Sequence, residues 1–262
     1  MFTINKQHIH CTVVAFLYLF LSFTSLQAQS GKVKVIELRN YLMRSGQRDN
    51  FIDSFKIKVV DSLNGRRNYV LGQYRVKDAP DNFCWIRGFD DMTSRKIALE
   101  GFYDSKYWKK HVSIPQKYVV GYTNVYLLKP VRITDSSMDS TAGFETDWFD
   151  KAQRLAVVDF YVANERRNLL LDFVETMYDS ILHAAGVKDI SYWISETTHN
   201  DYPSLPVFQD KNLLVTITLF KDEPHYNAIK KRIETVMSEE QKFYMNRIVT
   251  TKTTWVLYPT EK

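Results

Sequence analysis

Residues able to do chemistry fall at two-residue spacing on four short stretches of this chain. Glu37, Arg39 and Tyr41 alternate with Ile36, Leu38 and Leu42. Trp85 and Arg87 share one side of Phe83–Phe89, Tyr122 and Asn124 one side of Tyr122–Leu128, and Asp159 and Tyr161 one side of Leu155–Val162. A period of two puts such residues on one face of a strand. Guanidinium forks can hold a carboxylate or a carbonyl oxygen, and aromatic side chains supply flat walls. Buried charges cost several kcal/mol each unless paired. Glu37, Arg39, Arg87 and Asp159 must therefore either pair with one another or line a wet cavity. A ligand pocket and an internal salt-bridge network that fixes how two halves dock both remain open at this point.

Other reactive groups are sparser. Trp108 and His111 are three residues apart and share a helix face. They stand either at the rim of a pocket or, more simply, as a core anchor and a helix-end residue favoured by the helix dipole. A reaction would need a positioned base, for which His111, Asp159 and Glu37 are the candidates. His183, His199 and His225 have no metal-like spacing, so no metal site is expected. With only nine glycines and no Gly-rich phosphate loop, no nucleotide motif and no cofactor is called for.

The elements that must carry these residues follow from periodicity. Val33–Met43 alternates as a half-buried strand, and Phe51, Ile52, Phe55, Val59, Val60 and Leu63 recur at helical spacing up to Asn64-Gly65. Val70–Val76 and Phe83–Phe89 read as strands around a turn at Asp78–Asp81, Met92 to about Lys110 as a helix broken near Gly101, and Tyr122–Leu128 as a strand. The order β-α-β-β-α-β is ferredoxin-like. It recurs through Leu155–Val162, Arg166–Ala185, Ile190–Ser195, Leu213–Phe220, Pro224–Met237 and Arg247–Tyr258. Tyr126–Pro130 and Trp255–Pro259 echo each other, which favours an ancient duplication over two unrelated α+β halves.

The fold expected is α+β: two tandem βαββαβ repeats, 32–132 and 153–262, joined by a linker at 133–152. Their sheets should pack face to face as a pseudo-dimeric α/β barrel. The helices are expected to cover Ile36, Leu38, Cys84, Ile86, Val125 and Leu127. Glu37, Arg39, Tyr41, Trp85, Arg87, Tyr122, Asn124, Asp159 and Tyr161 are then expected to face the barrel interior as ligand-binding residues.

Residues 1–28 read as a signal peptide. Lys6 precedes an apolar run from Thr12 to Leu26, and small residues follow at Ala28 and Ser30. Export to a periplasm or beyond the cell is expected, with no stable membrane span once that segment is cleaved. Cys84 is then the single cysteine, so no internal disulfide can form and stability must come from packing. The net charge of +5 is scattered, with no basic stripe, and nucleic acid is not expected as a partner. Nothing in the sequence sets an oligomeric state.

Four segments resemble the NIPSNAP family. Ile36-Glu37-Leu38-Arg39-Asn40-Tyr41 is similar to its opening strand. Trp85–Met92 with Arg95 is similar to its third strand and the start of the next helix. Phe102-Tyr103-Asp104-Ser105 with Trp108–His111, and Val125–Pro130, resemble its later segments, and together they cover about residues 33–130. Val112-Ser113-Ile114-Pro115 stands where family members carry a polar Ala/Asn-rich run, which separates His111 from any family role. The resemblance implies a dimeric α/β-barrel fold, a group that includes cofactor-less monooxygenases and haem proteins, and implies no reaction. The function expected is binding of a small molecule or protein partner through the barrel interior. The alternatives are a cofactor-independent monooxygenase or isomerase, and a haem protein with His111 as axial ligand.

Overall fold

A computed structural model describes residues 32–134, 137–139, 143–150, 154–164 and 167–260. The expected signal peptide at 1–28 and part of the expected linker lie outside the described residues. Residues 32–262 form one compact unit.

Eight strands build the barrel: β1 (Val35–Met43), β2 (Tyr69–Val76), β3 (Asn82–Phe89), β4 (Val119–Thr134), β5 (Leu155–Ala163), β6 (Ile190–Ser195), β7 (Leu213–Phe220) and β8 (Val249–Pro259). Their hydrogen-bonded order is β1-β3-β2-β8-β5-β7-β6-β4, and β4 returns to β1, so the sheet closes. Every pairing in the ring is antiparallel. The protein is thus a mixed α+β molecule around an eight-stranded antiparallel barrel. What was expected as two sheets lying face to face is one continuous sheet. The seams are short: Val76 to Tyr74 pair with Leu257 to Pro259, and Leu128–Val131 with Ser195–Tyr192.

One apolar cluster draws residues from all eight strands, among them Ile36, Tyr74, Ile86, Val158, Trp193 and Ile217. On a closed sheet that cluster can only be the inside. Eight strands leave an interior just wide enough for side chains to fill, and here large apolar groups fill it. This corrects the expected orientation. Ile36, Leu38, Cys84 and Ile86 point into the barrel, whereas Glu37, Arg39, Tyr41, Trp85 and Arg87 lie on the outer face beneath the helices. Both faces of this sheet are covered, so both carry bulky residues, and alternation alone does not say which is which. Val125 and Leu127 do pack on the helix side, opposite Arg39 and Glu37.

The helices lie outside. α1 (Arg48–Phe55) continues through a π turn at Lys56–Val60 into Asp61–Asn64. α2 (Met92–Tyr103) is opened by a reciprocal Asp91/Ser94 capping box. Gly101 sits inside α2; the break comes instead at Asp104-Ser105, where Ser105 caps α3 (Lys106–His111) by accepting from Trp108 N–H. α4 (Ser113–Tyr118) leads into β4. In the second half α5 (Arg167–Phe173) passes through a π turn into α6 (Asp179–Ala185), and α7 (Glu223–Val236) and α8 (Glu239–Ile248) precede β8. Within the stretch expected as a linker, Phe144 and Glu145 pair with Val33 and Lys32, and Phe149 is buried against Trp193. No helix among the described residues is long and apolar enough to cross a membrane.

Gly186 ends α6 at φ +100°, and a β-carbon there would sit 3.0 Å from Ile229 Cδ1. Left-handed backbone costs an L-residue about 1–2 kcal/mol. Gly186→Ala should therefore lower the melting temperature by about 2–4 °C per kcal/mol lost. An unchanged thermal scan would contradict this assignment.

Candidate functional site

Glu37 organises the outer face of the first half. It is fully buried and receives three arginines. Arg87 on the adjacent β3 donates from Nε to Oε2 at 2.7 Å, and its Nη2 lies 2.6 Å from the same oxygen. Arg95, one helical turn into α2, donates to Oε1 at 2.7 Å. Arg39 donates to Oε2 from two residues along the same strand. Burial alone would raise the Glu37 pKa, but Arg87, Arg39 and Arg95 overcome it and hold the carboxyl well below the usual carboxylate range.

The charges do not balance. Among the described residues, three buried guanidinium groups face one carboxylate, with only the partly exposed Asp201 near Arg95 Nη1, at 3.7 Å. Arg95 Nη1 also donates to Asn200 at 3.0 Å. Arg87 Nη1, Arg95 Nη2 and the indole N–H of Trp85 are buried with no acceptor among the described residues. Such unmet donors are costly in a low-dielectric site, and they favour an anion.

A cavity of about 370 Å³ opens beside this cluster. Arg39, Tyr41, Trp85 and Tyr122 come from the barrel, α1 to α3 supply aromatic groups such as Phe55 and Trp108, and α4 adds Pro115 and Gln116. The loop between β6 and β7 closes one side through Ser204, Leu205 and Pro206. That loop is held in place: Phe208 N–H donates to Val125 at 2.7 Å, and Tyr202 stacks on Tyr103 at 5.9 Å. Arg39 donates from Nε to the Tyr41 hydroxyl at 2.8 Å, so that hydroxyl keeps its own proton available. Burial raises the Tyr41 pKa against the opposing pull of Arg39, which keeps the phenol protonated.

The nine nominated residues and the two rim residues thus separate. Arg39, Tyr41, Trp85, Tyr122 and Trp108 share one cavity wall. Glu37 and Arg87 lie beneath it, in contact with Arg39 through the carboxylate. Tyr122 reaches this side because the β1–β4 register slips between Asn40 and Leu42. Asn124 precedes the slip, pairs opposite Asn40 on the barrel-interior side, and leaves the site. Asp159 and Tyr161 line a different cavity, under α6 to α8. His111 stacks on Tyr107 at 4.2 Å, its Nδ1 lies 2.8 Å from the Tyr107 carbonyl, and it lines neither cavity. It therefore could not ligate a haem held there.

Two contributors escaped the sequence reading as site residues. Arg95 stands at i with Ala98, Leu99 and Phe102 at i+3, i+4 and i+7, inside the buried stripe of α2, and a charge on an apolar stripe is a readable signal. The 200–206 loop carries no such mark, since its role depends on a contact between distant parts of the chain.

No protein-family model matches the chain, and neither does any curated protein. Among solved structures, the chain is similar to an anthrone oxidase-like protein at 10% identity and TM-score 0.55, over 87% of this chain and 92% of that one. It is also similar to a candidate monooxygenase from Fusobacterium nucleatum at 11% identity and TM-score 0.54, over 88% and 94%. A NIPSNAP domain protein from Burkholderia xenovorans matches 38% of this chain and 97% of its own, at 15% identity and TM-score 0.35. At these identities the likeness to the first two is one of fold.

Proposed function

We propose that this protein is an exported, NIPSNAP-like binding protein whose first-half cavity takes a flat apolar molecule bearing a carboxylate or comparable oxyanion. The observation that carries the reading is an excess of buried guanidinium charge beside an aromatic-walled cavity, which Arg39 lines and to which Arg87 and Arg95 connect through Glu37. Its volume suits a small ligand. Arg39 and the Tyr41 proton would take the anionic oxygens while Trp85, Phe55 and Trp108 hold the flat body.

Binding is favoured over proton transfer because each nominated base fails for a geometric reason. Glu37 is pinned by three arginines, His111 lies outside the cavity, and Asp159 belongs to another one. The family assignment rests on the segments around Glu37–Arg39, Trp85–Arg95 and Phe102–His111, and export on the pattern of residues 1–28. We also read the halves as tandem ferredoxin-like repeats. In support, each half orders its strands fourth-first-third-second around the ring.

The test is calorimetric titration with 2-naphthoate. The wild-type chain should bind one equivalent at this site, and Arg39→Met should weaken that binding at least ten-fold. Arg39→Met should still fold, because Glu37 keeps Arg87 and Arg95. Equal affinity in a folded Arg39→Met chain would remove this reading, as would no binding by the wild type.

A further inference from the structure

β1 and β5 are both nine residues long, and Arg39 and Asp159 hold the same place in them, as do Tyr41 and Tyr161. The register agrees on both flanks. Arg39 faces Trp85 and Val125 on its neighbouring strands; Asp159 faces Thr216 and Thr254. One step along, Glu37 faces Arg87 where Val157 faces Thr218. The second half therefore repeats the position of the first site with its chemistry changed. The arginine becomes an aspartate, the three-arginine cluster has no counterpart, and hydroxyls replace the indole and the second arginine.

This face also borders a cavity, of about 570 Å³, roofed by α6, α7 and α8. Its charges are matched. Asp159 accepts from the Thr254 hydroxyl and from Tyr161 at 3.3 Å, and Lys252 Nζ lies 3.5 Å away. Lys230 and Glu234 add one charge of each sign to the helical wall, and Lys242 there is paired with Glu239 at 2.7 Å. Hydrogen-bonding capacity stands on the floor. Thr216 and Thr218 line the cavity and present hydroxyls to it. A ligand oxygen can take the place of the water that such hydroxyls hold. Opposite them stand Leu182, Ile233, Met237 and Met245, an apolar and adaptable surface.

We propose that this cavity is a second ligand site, selective for an uncharged, mainly apolar molecule whose hydroxyl or carbonyl oxygen bonds to Thr216 and Thr218. The two halves would then sort ligands of similar shape by charge.

The probe is 2-naphthol, which has the ring system of 2-naphthoate and stays neutral at pH 7 because phenols ionise near pH ~10. Three chains are titrated with each probe: Thr216→Val/Thr218→Val, Met237→Trp and Arg39→Met. The threonine double variant removes both hydroxyls at nearly constant shape, and Met237→Trp fills the cavity. The expected result is naphthol binding to wild type and Arg39→Met alike, at least five-fold weaker in the threonine variant and lost in Met237→Trp. Naphthoate affinity should be unchanged in the last two. Melting curves confirm that each variant is folded, and the threonine variant alone decides the matter if Met237→Trp is not. The proposal is overturned if naphthol fails to bind wild type, binds the threonine variant as tightly, or is displaced by naphthoate. Failure of the anion site shows separately, as naphthoate binding that is absent or indifferent to Arg39→Met.

Discussion

Glu37→Gln is expected to lower the melting temperature by about 6–20 °C at pH 7. The substitution keeps the shape of the side chain and removes the one charge that Arg39, Arg87 and Arg95 share. Glu37, Arg87 and Arg95 are inaccessible to water and Arg39 keeps only the edge that borders the cavity, so the guanidinium groups cannot recover their full hydration without unfolding part of the structure. Removing one partner from a buried ion pair costs about 3–5 kcal/mol. For a chain of this size each kcal/mol shifts the midpoint by about 2–4 °C. The same carboxylate sets an acid dependence. Its pKa in the folded protein lies well below the unfolded value of about 4.3. Its contribution is therefore complete above that unfolded value and is lost as pH falls through the folded one. Scanning calorimetry from pH 7 down to about pH 3 should show the wild type losing part of its advantage over Glu37→Gln once the pH passes below the unfolded value. A difference under 2 °C at pH 7, on the scale of about 2–4 °C per kcal/mol, would mean that the arginines do not depend on this carboxylate.

Trp193→Ala should cost about 3–5 kcal/mol, the usual range for deleting a buried large aromatic. Trp193 is fully buried in the barrel cluster, lies 5.0 Å from the ring of Phe144, and donates its indole N–H to Ser191 at 2.8 Å. The ring of strands is hydrogen-bonded all the way round, so the walls cannot collapse inward to fill the void. A lasting apolar cavity of this kind stays dry and takes up benzene. Denaturant unfolding should therefore show a lower midpoint with an unchanged slope, partly restored by benzene. A cost under about 1 kcal/mol, far below the range for such a deletion, would show that the interior is loosely filled and would reopen it as a ligand chamber.

The chain wrote some of this plainly and some of it ambiguously. The alternation of Glu37, Arg39 and Tyr41 placed them together on one face, and so it is. Which face that is does not follow from it, because Ile36 and Ile86 satisfy the inside of a barrel as well as they would satisfy a helix. A period of two records sidedness without naming the side. Asp159 and Tyr161 do share the outward parity of Arg39, but the ring carries them under other helices, and no local pattern conveys that separation. Tyr122 and Asn124, two residues apart, ended on opposite faces because of a slip in register that depends on the partner strand. Arg95 is legible in the sequence: it interrupts an apolar stripe whose other members are Ala98, Leu99 and Phe102.

The two short seams that close the ring carry a consequence of their own. An open four-stranded sheet would present unpaired N–H and C=O rows on its outermost strands, and such edges recruit other chains into aggregates. Here β2 is sealed by β8 and β4 by β6, through only a few residue pairs each. With Cys84 buried and free and no disulfide among the described residues, the protein relies on that seal for its colloidal safety. A few backbone hydrogen bonds at each seam therefore guard solubility more than they add stability.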